Sequence, residues 1–154
     1  MTVPSAQPPD MPHYDPQALL NSQPVMITVI DPRSHKVVFQ NRVSHSRFGD
    51  ISNLTCHENI AGCATPCSFC KMPETAETGK PTASEVALPN DEYLLAQWAK
   101  IENASGRAHV VETITDITSS KRQQAEAEVL VKKLSATNRA HPCEPTASRP
   151  ICAG

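Results

Sequence analysis

Residues 108–118, AHVVETITDIT, decide the fold of this chain of 154 residues. Valine, isoleucine and threonine dominate the stretch, and these β-branched residues favour an extended strand. Ser119 and Ser120 come next, followed by the strong helix formers KRQQAEAEVLVKKL (residues 121–134). The sequence therefore predicts a long strand over Ala108–Ile117 that passes almost directly into a helix over residues 119–137.

Four further strands are predicted upstream, in two pairs. The first pair flanks the turn signal Asp31-Pro32-Arg33-Ser34, which predicts a hairpin. Residues 41–80 separate the two pairs and lack strand character, so they predict short helical pieces and loops. A five-stranded antiparallel sheet with this helical crossover on one face buries such a pattern, which gives an α+β fold class. The four strands are Val25–Ile30, Lys36–Gln40, Ala83–Leu88 and Tyr93–Ile101.

Composition divides the chain into four parts. Residues 1–23 are rich in proline and predict a disordered leader, with a short helix over Gln17–Asn21. Residues 24–118 form the folded domain, and residues 119–137 form the helix. Residues 138–154, NRAHPCEPTASRPICAG, follow no pattern and predict a disordered tail.

Charge and hydropathy exclude several classes of protein. A net charge of −2 with 19% charged residues offers no basic surface for nucleic acid. No segment approaches the roughly 20 apolar residues of a membrane span, and residues 1–16 carry no secretory signal, so a cytoplasmic location is expected. No glycine-rich phosphate loop, nucleophile elbow or paired-carboxylate motif is present. The sequence therefore does not predict an enzyme.

Four cysteines within fifteen residues mark the candidate functional site. The stretch CHENIAGCATPCSFC (residues 56–70) contains Cys56, Cys63, Cys67 and Cys70. Cysteines clustered in a reducing cytosol are more often metal ligands or redox centres than disulfides. Four thiolates can hold an iron–sulfur cluster or close the tetrahedral shell of Zn²⁺, and Cys67 and Cys70 alone can form a reversible disulfide. A helix beginning at Cys67 would lower the pKa of its thiol. All four cysteines are predicted cofactor-binding and metal-binding residues.

Other residues of chemical interest have plainer interpretations. His57 follows Cys56 and could complete a Cys3His shell, but we expect it at the surface. Trp98 is expected to pack in the sheet. Cys143 and Cys152 are expected to have no role.

Residues 24–118 resemble a PAS domain of bacterial signal-transduction proteins. The resemblance lies in Asp31-Pro32 after the first strand, Val38-Phe39-Gln40-Asn41 at the end of the second, and Ile114-Thr-Asp-Ile-Thr118 before the helix. It implies that the crossover lines a ligand cavity and that residues 119–137 form a signalling helix. The spacing C-x6-C-x3-C-x2-C is similar to that of a Cys-rich subset found in sensor histidine kinases and diguanylate cyclases. Heme and flavin are not implied, since Cys67-Ser-Phe-Cys70 is followed by Lys71 and no flavin-adduct motif surrounds a cysteine.

The resemblance implies a sensory module that detects redox state or oxygen through the four cysteines and relays the signal through its helix. Ala127, Leu130 and Leu134 have coiled-coil spacing, which favours a homodimer through the PAS domain and the helix. The expected partner is a histidine kinase or diguanylate cyclase output module, in cis or in trans, as in a two-component system. Two alternatives stay open: a structural zinc-bound PAS dimerisation module with another ligand, and a thiol/disulfide switch.

Overall fold

A five-stranded antiparallel sheet forms the centre of the computed structural model, which describes residues 14–139. All five predicted strands are present, each with its ends within a residue of the predicted ones. The spatial order is β2-β1-β5-β4-β3, so the first and last strands of the chain lie side by side. The strands are β1 (Met26–Ile30), β2 (Val37–Gln40), β3 (Thr82–Ala87), β4 (Tyr93–Glu102) and β5 (Ala108–Asp116).

The crossover between β2 and β3 contains the short helical pieces that the sequence predicts. Its helices are α2 (Arg42–Phe48), α3 (Cys56–Asn59) and α4 (Met72–Thr78), which follow α1 (Pro16–Ser22). Pro73 lies in the first turn of α4, where its missing N–H costs nothing, and Gly79 ends that helix in the left-handed conformation, with φ of 70°. The loop between α3 and α4 contains Cys63, Cys67 and Cys70.

Asn41 holds the beginning of the domain together. Its side chain is fully buried, and its Oδ1 accepts bonds from the N–H groups of Ile27 (3.0 Å) and Ser44 (2.9 Å). Its Nδ2 donates to the carbonyl oxygens of Leu20 (3.1 Å) and Val25 (2.9 Å). One amide therefore caps α2 and ties the end of α1 to β1. The helix expected over Gln17–Asn21 is thus present as α1, and this part of the expected leader is bonded to the sheet.

The core lies between one face of the sheet and the crossover helices. Register places Met26, Ile114 and Ala96 side by side on that face of β1, β5 and β4. Alternation along β5 buries Val110, Glu112 and Ile114, as expected for a strand with one covered face. The buried apolar residues of the core are Ile30, Val37, Ile51, Met72, Ala96, Trp98, Val110 and Ile114.

The β1–β2 turn closes around a buried carboxylate. Asp31 accepts bonds from the N–H of Arg33 (3.1 Å), the hydroxyl of Ser34 (3.0 Å) and the guanidinium of Arg107 (2.5 Å). Burial opposes ionisation of this carboxyl, but its three donors prevail and lower its pKa. The Asp31-Pro32 motif therefore stabilises the turn and links it to the start of β5.

The helix α5 (Thr118–Arg139) belongs to a second compact unit that begins at Thr118. Its apolar residues Leu130 and Leu134 are 59% and 67% exposed, and Val129 and Val131 are exposed as well. None of the helices within residues 14–139 is both long and apolar enough to cross a membrane. Most of the expected leader (1–13) and tail (140–154), with Cys143 and Cys152, lies outside the described residues, so the predicted domain boundaries stay predictions.

Candidate functional site

A cavity of about 470 Å³ lies between the sheet and the crossover. Apolar side chains from both layers form most of its wall, and Glu112 on β5 is a charged residue within the sheet wall. Cys56, Cys67 and Cys70 lie on the crossover side. The apolar lining includes Met26, Phe48, Ile60, Phe69, Leu94, Trp98 and Ile114.

Backbone hydrogen bonds position the cysteine loop, residues 56–70. Cys56 is the first residue of α3, and its N–H donates to the carbonyl of His35 in the β1–β2 turn at 2.9 Å. The N–H of Cys63 returns to the carbonyl of His57 at 2.8 Å. Cys67 and Cys70 bracket a tight turn, in which the N–H of Cys70 donates to the carbonyl of Cys67 at 3.0 Å. The loop is therefore folded back on itself and attached to the sheet at its start.

All four cysteines are free thiols, and the fold brings them near one another. The pKa of Cys56 is raised to about 12, mainly by burial and to a lesser extent by nearby Glu112, Cys70 and Cys67. Burial also raises the pKa of Cys67 to about 12, with contributions from Cys63, Cys70 and Glu112. The thiol of Cys63 lies near that of Cys67 and donates a hydrogen bond to the carbonyl of Ala61 at 3.6 Å. In the chain without a bound metal, the thiols of Cys56 and Cys67 are therefore protonated at neutral pH.

Two backbone amides point at sulfur atoms. The N–H of His57 lies near the thiol of Cys56 and the N–H of Met72 near that of Cys70, and each amide acts to lower the pKa of its thiol. Burial is the largest effect on the pKa of Cys70 and raises it, while the Met72 amide acts in the opposite direction. Amides aimed at sulfur stabilise a thiolate, and they tune the potentials of iron–sulfur clusters.

The donor set has the right chemistry for a thiolate-bound metal, but the ligands are not assembled around one point. Within residues 14–139, no three side chains of His, Cys, Asp or Glu are close enough together to hold a metal ion. A single Zn²⁺ needs sulfur atoms about 3.8 Å apart, as follows from Zn–S bonds of about 2.3 Å in a tetrahedron. An iron–sulfur cluster spaces its thiolates more widely, because they bind different iron atoms. A bound zinc ion therefore holds the sulfur atoms closer together than a bound cluster does.

The Cys67–Cys70 pair lacks the features of an activated dithiol. A helix beginning at Cys67 was expected to lower the pKa of its thiol, but the segment is a turn and α4 begins only at Met72. Burial instead raises the pKa of both thiols. Since the thiolate is the nucleophile, the pair is a poor attacking group in this conformation.

Glu112 was missed by the sequence analysis. Its Oε1 accepts a bond from Trp98 Nε1 at 2.9 Å, and its Oε2 is buried without a hydrogen-bond partner among residues 14–139. Burial raises the pKa of this carboxyl to about 7, although the Trp98 bond acts to lower it. The signal was present in the alternation of β5, because Val110, Glu112 and Ile114 share a face and only one of them is charged.

His57 is half-buried, which corrects the expectation of a surface position. Its ring lines the cavity and lies edge-on to that of His35, with centroids 5.6 Å apart. Its Nδ1 is buried and has no hydrogen-bond partner in the part of the chain that the structure describes. Trp98, by contrast, packs in the sheet as predicted, with 1% of its surface exposed.

Comparison with known proteins relates the chain to others through its structure. No family model and no curated protein sequence matches it. A domain of an HTR-like protein from Haloarcula marismortui is 15% identical, with a TM-score of 0.53, over 62% of this chain and 99% of that one. The PAS domain of nitrogen regulation protein NR(II) from Vibrio parahaemolyticus is 12% identical, with a TM-score of 0.52, over 68% of this chain and all of that one.

An RNA-binding light-oxygen-voltage receptor is also similar, at 18% identity and a TM-score of 0.55, over 81% of this chain and 41% of the receptor. These TM-scores indicate a common fold, and identities this low indicate nothing beyond the fold. The strand order, the helical crossover and the cavity between them agree with that fold. The sheet and its crossover helices therefore have the PAS fold.

Proposed function

We propose that this chain is the sensory module of a bacterial signal-transduction protein, and that it detects redox state or oxygen through its four cysteines. The proposed cofactor is an iron–sulfur cluster, with Zn²⁺ as the alternative. The observation that carries the proposal is that Cys56, Cys67 and Cys70 line one side of a ligand-sized cavity, with Cys63 of the same loop near Cys67.

Cys56, Cys63, Cys67 and Cys70 are the proposed ligands. A bound iron–sulfur cluster supplies an oxidation state that follows the redox condition of its surroundings. The residues of the chain provide the thiolates, and the amides of His57 and Met72 stabilise the sulfur charge at Cys56 and Cys70. Because thiols must lose their protons to become ligands, loading is favoured as pH rises.

The attachment of the loop suggests how a change there reaches the rest of the domain. Two backbone hydrogen bonds, both 2.9 Å long, join the start of the cysteine loop and the segment just before it to the β1–β2 hairpin. The N–H of Cys56 donates to the carbonyl of His35, and the N–H of Val37 donates to the carbonyl of Leu54. Across the cavity lies β5, which ends at Asp116 and is followed after one residue by α5. We propose that a movement of the loop alters the packing against β5 and biases α5 between two arrangements of a dimer.

Anaerobic purification tests the proposal directly. Iron, sulfide and zinc are measured on one sample, together with its visible absorption before and after exposure to air. A coloured protein that contains iron and sulfide and bleaches in air supports the cluster. Replacement of all four cysteines by serine should abolish the colour and the bound iron and sulfide. The matched control replaces Cys143 and Cys152 by serine and should retain full metal content. Equal metal content in the four-serine variant overturns the assignment of these ligands.

A structural zinc module that pairs through its helix is the second candidate. The observation that favours it is the Cys67–Cys70 turn, since a C-x2-C turn with an amide directed at its second sulfur resembles one half of a zinc site. In that case the purified protein is colourless with about one zinc per chain. Oxidants then leave its conformation unchanged while chelation loosens residues 56–70, which proteolysis detects.

A further inference from the structure

The free oxygen of Glu112 marks a ligand position that is distinct from the cysteine ligands. Glu112 is 9% exposed and lines the cavity. Its Oε1 is occupied by the indole N–H of Trp98, while Oε2 has no partner among the described residues. Folded proteins pair nearly all buried acceptors, so an unpaired one in a cavity wall indicates where a ligand atom completes a hydrogen bond.

The remainder of the wall indicates the kind of molecule that fits. The single tryptophan of the chain and two of its three phenylalanines, Phe48 and Phe69, line this one cavity. Aromatic rings pack favourably edge-on or offset against another ring. A volume of about 470 Å³ lies within the range of about 300–1,000 Å³ that holds small organic ligands. The cavity is therefore suited to a compact aromatic molecule.

The charged groups around the cavity favour a neutral ligand. Arg47 and Glu92 both line it but pair with each other at 3.4 Å, so neither calls for a charged group on the ligand. An anionic ligand would be repelled by the Glu112 carboxylate. A cationic ligand would lose its hydration on entering a cavity whose wall is mostly apolar. A neutral N–H donor completes the bond to Oε2 without burying a second charge.

We propose that the cavity binds a compact, neutral aromatic molecule through an N–H group that donates to Oε2 of Glu112. Binding places the ring between the sheet and the cysteine loop, against Trp98 on one side and Phe69 on the other. The ligand is thus a second input to the domain, and the proposal does not depend on which cofactor the cysteines hold.

A pair of isosteric probes tests the donor requirement. Indole carries an N–H group, and benzofuran has the same shape with an oxygen in its place. Both are titrated at pH 8, where the Glu112 carboxyl is mostly ionised, into the full chain labelled with ¹⁵N. The single tryptophan of the chain gives one indole N–H resonance, that of Trp98. We expect indole to shift this resonance and to bind about tenfold more tightly than benzofuran, as one hydrogen bond to a buried carboxyl requires.

Two variants locate the contact. Glu112→Gln keeps an oxygen for Trp98 but turns an NH₂ group toward the ligand, so the preference for indole over benzofuran should disappear. Glu74→Gln is the matched control, because Glu74 is exposed on α4 and is not part of the cavity wall, and it should bind both probes as the native chain does.

Equal affinity of the native chain for the two probes overturns the proposal, as does an unmoved Trp98 resonance at millimolar indole. Equal loss of indole binding in both glutamine variants overturns it too. If Glu112→Gln does not fold, the comparison of indole with benzofuran on the native chain still decides whether the ligand needs an N–H donor. Metal content measured on the same samples reports separately on the cysteine cofactor, so failure of one proposal is distinguishable from failure of the other.

Discussion

Trp98 and Glu112 are directly opposite each other on β4 and β5, and the indole Nε1 of Trp98 donates to Oε1 of Glu112 at 2.9 Å. Both side chains face the crossover helices, and they are 1% and 9% exposed. Burial raises the pKa of Glu112 to about 7, so the centre of the sheet contains a carboxyl group that changes its charge near neutral pH. This pair also forms part of the cavity wall.

The first prediction concerns stability as a function of pH. The pKa of Glu112 in the folded chain exceeds its ordinary value of 4.5, so the folded state binds this proton more tightly than the unfolded state. Its contribution to stability is complete below about pH 4.5 and is lost as the pH rises to about 7. Replacement by glutamine removes this dependence, and above pH 7 the variant should be more stable than the native chain by up to about 3 kcal/mol.

Urea unfolding of the full chain between pH 4.5 and 8 measures the difference. Glu74→Gln on the exposed face of α4 is the control, and its stability should run parallel to that of the native chain throughout. A constant offset between the native chain and Glu112→Gln over the whole pH range contradicts the raised pKa.

The second prediction concerns Asn41, whose amide makes four hydrogen bonds to backbone groups. Asn41→Ala leaves buried N–H and C=O groups unpaired, each at a cost of about 1 kcal/mol or more, so we expect a loss of about 3 kcal/mol. Asn21→Ala is the matched comparison, because Asn21 is half-buried and its Oδ1 accepts only the N–H of Arg42, at 2.8 Å. It should cost about 1 kcal/mol or less. Similar losses in the two variants would show that Asn41 does not anchor the domain.

The strands could be predicted from the sequence because their signals are local. β1, β2 and β5 are runs rich in β-branched residues, and the turns between strands contain proline, asparagine or glycine at their ends. The hairpin at Asp31-Pro32 was equally visible, although the role of Arg107 was not. A salt bridge between residues 76 positions apart depends on the sheet order, which no local pattern encodes.

The candidate site was only half predictable. Four cysteines within fifteen residues are recognisable by residue type and spacing, so the loop could be identified without a structure. Its surroundings were not, because Glu112 joins it only when β5 lies between β1 and β4. The pKa of a thiol also depends on burial, and burial made the thiols of Cys56 and Cys67 weaker acids where sequence reasoning allowed for a stronger one.

The third prediction concerns the reactivity of the thiols. Since the pKa of Cys56 and of Cys67 is raised to about 12, little thiolate is present at pH 8 in the metal-free chain. Each unit of pKa above the pH lowers the thiolate fraction about tenfold, so alkylation by iodoacetamide should be at least a hundredfold slower than for glutathione. Peptide mapping by mass spectrometry follows each cysteine separately.

Unfolding in urea provides the internal control, because it exposes both thiols and should restore ordinary rates of alkylation. Rapid alkylation of Cys67 in the folded, metal-free chain would contradict a buried, protonated thiol. That result would favour the thiol/disulfide switch over a metal site, since a switch needs an accessible thiolate.

The last prediction concerns α5, taken by itself. Leu130 and Leu134 lie one turn apart on this helix and are 59% and 67% exposed, and Ala127 continues their row at coiled-coil spacing. Exposed leucines in such a row stabilise a helix by packing against the same row of a second copy. We therefore expect the full chain to form a dimer in sedimentation equilibrium, and Leu130→Lys with Leu134→Lys to shift it to the monomer.

Gln124→Lys adds the same kind of charge on an exposed part of α5 outside this row and should leave the dimer intact. A native chain that stays monomeric at high concentration, or a double lysine variant that still dimerises, would remove α5 from the dimer contact.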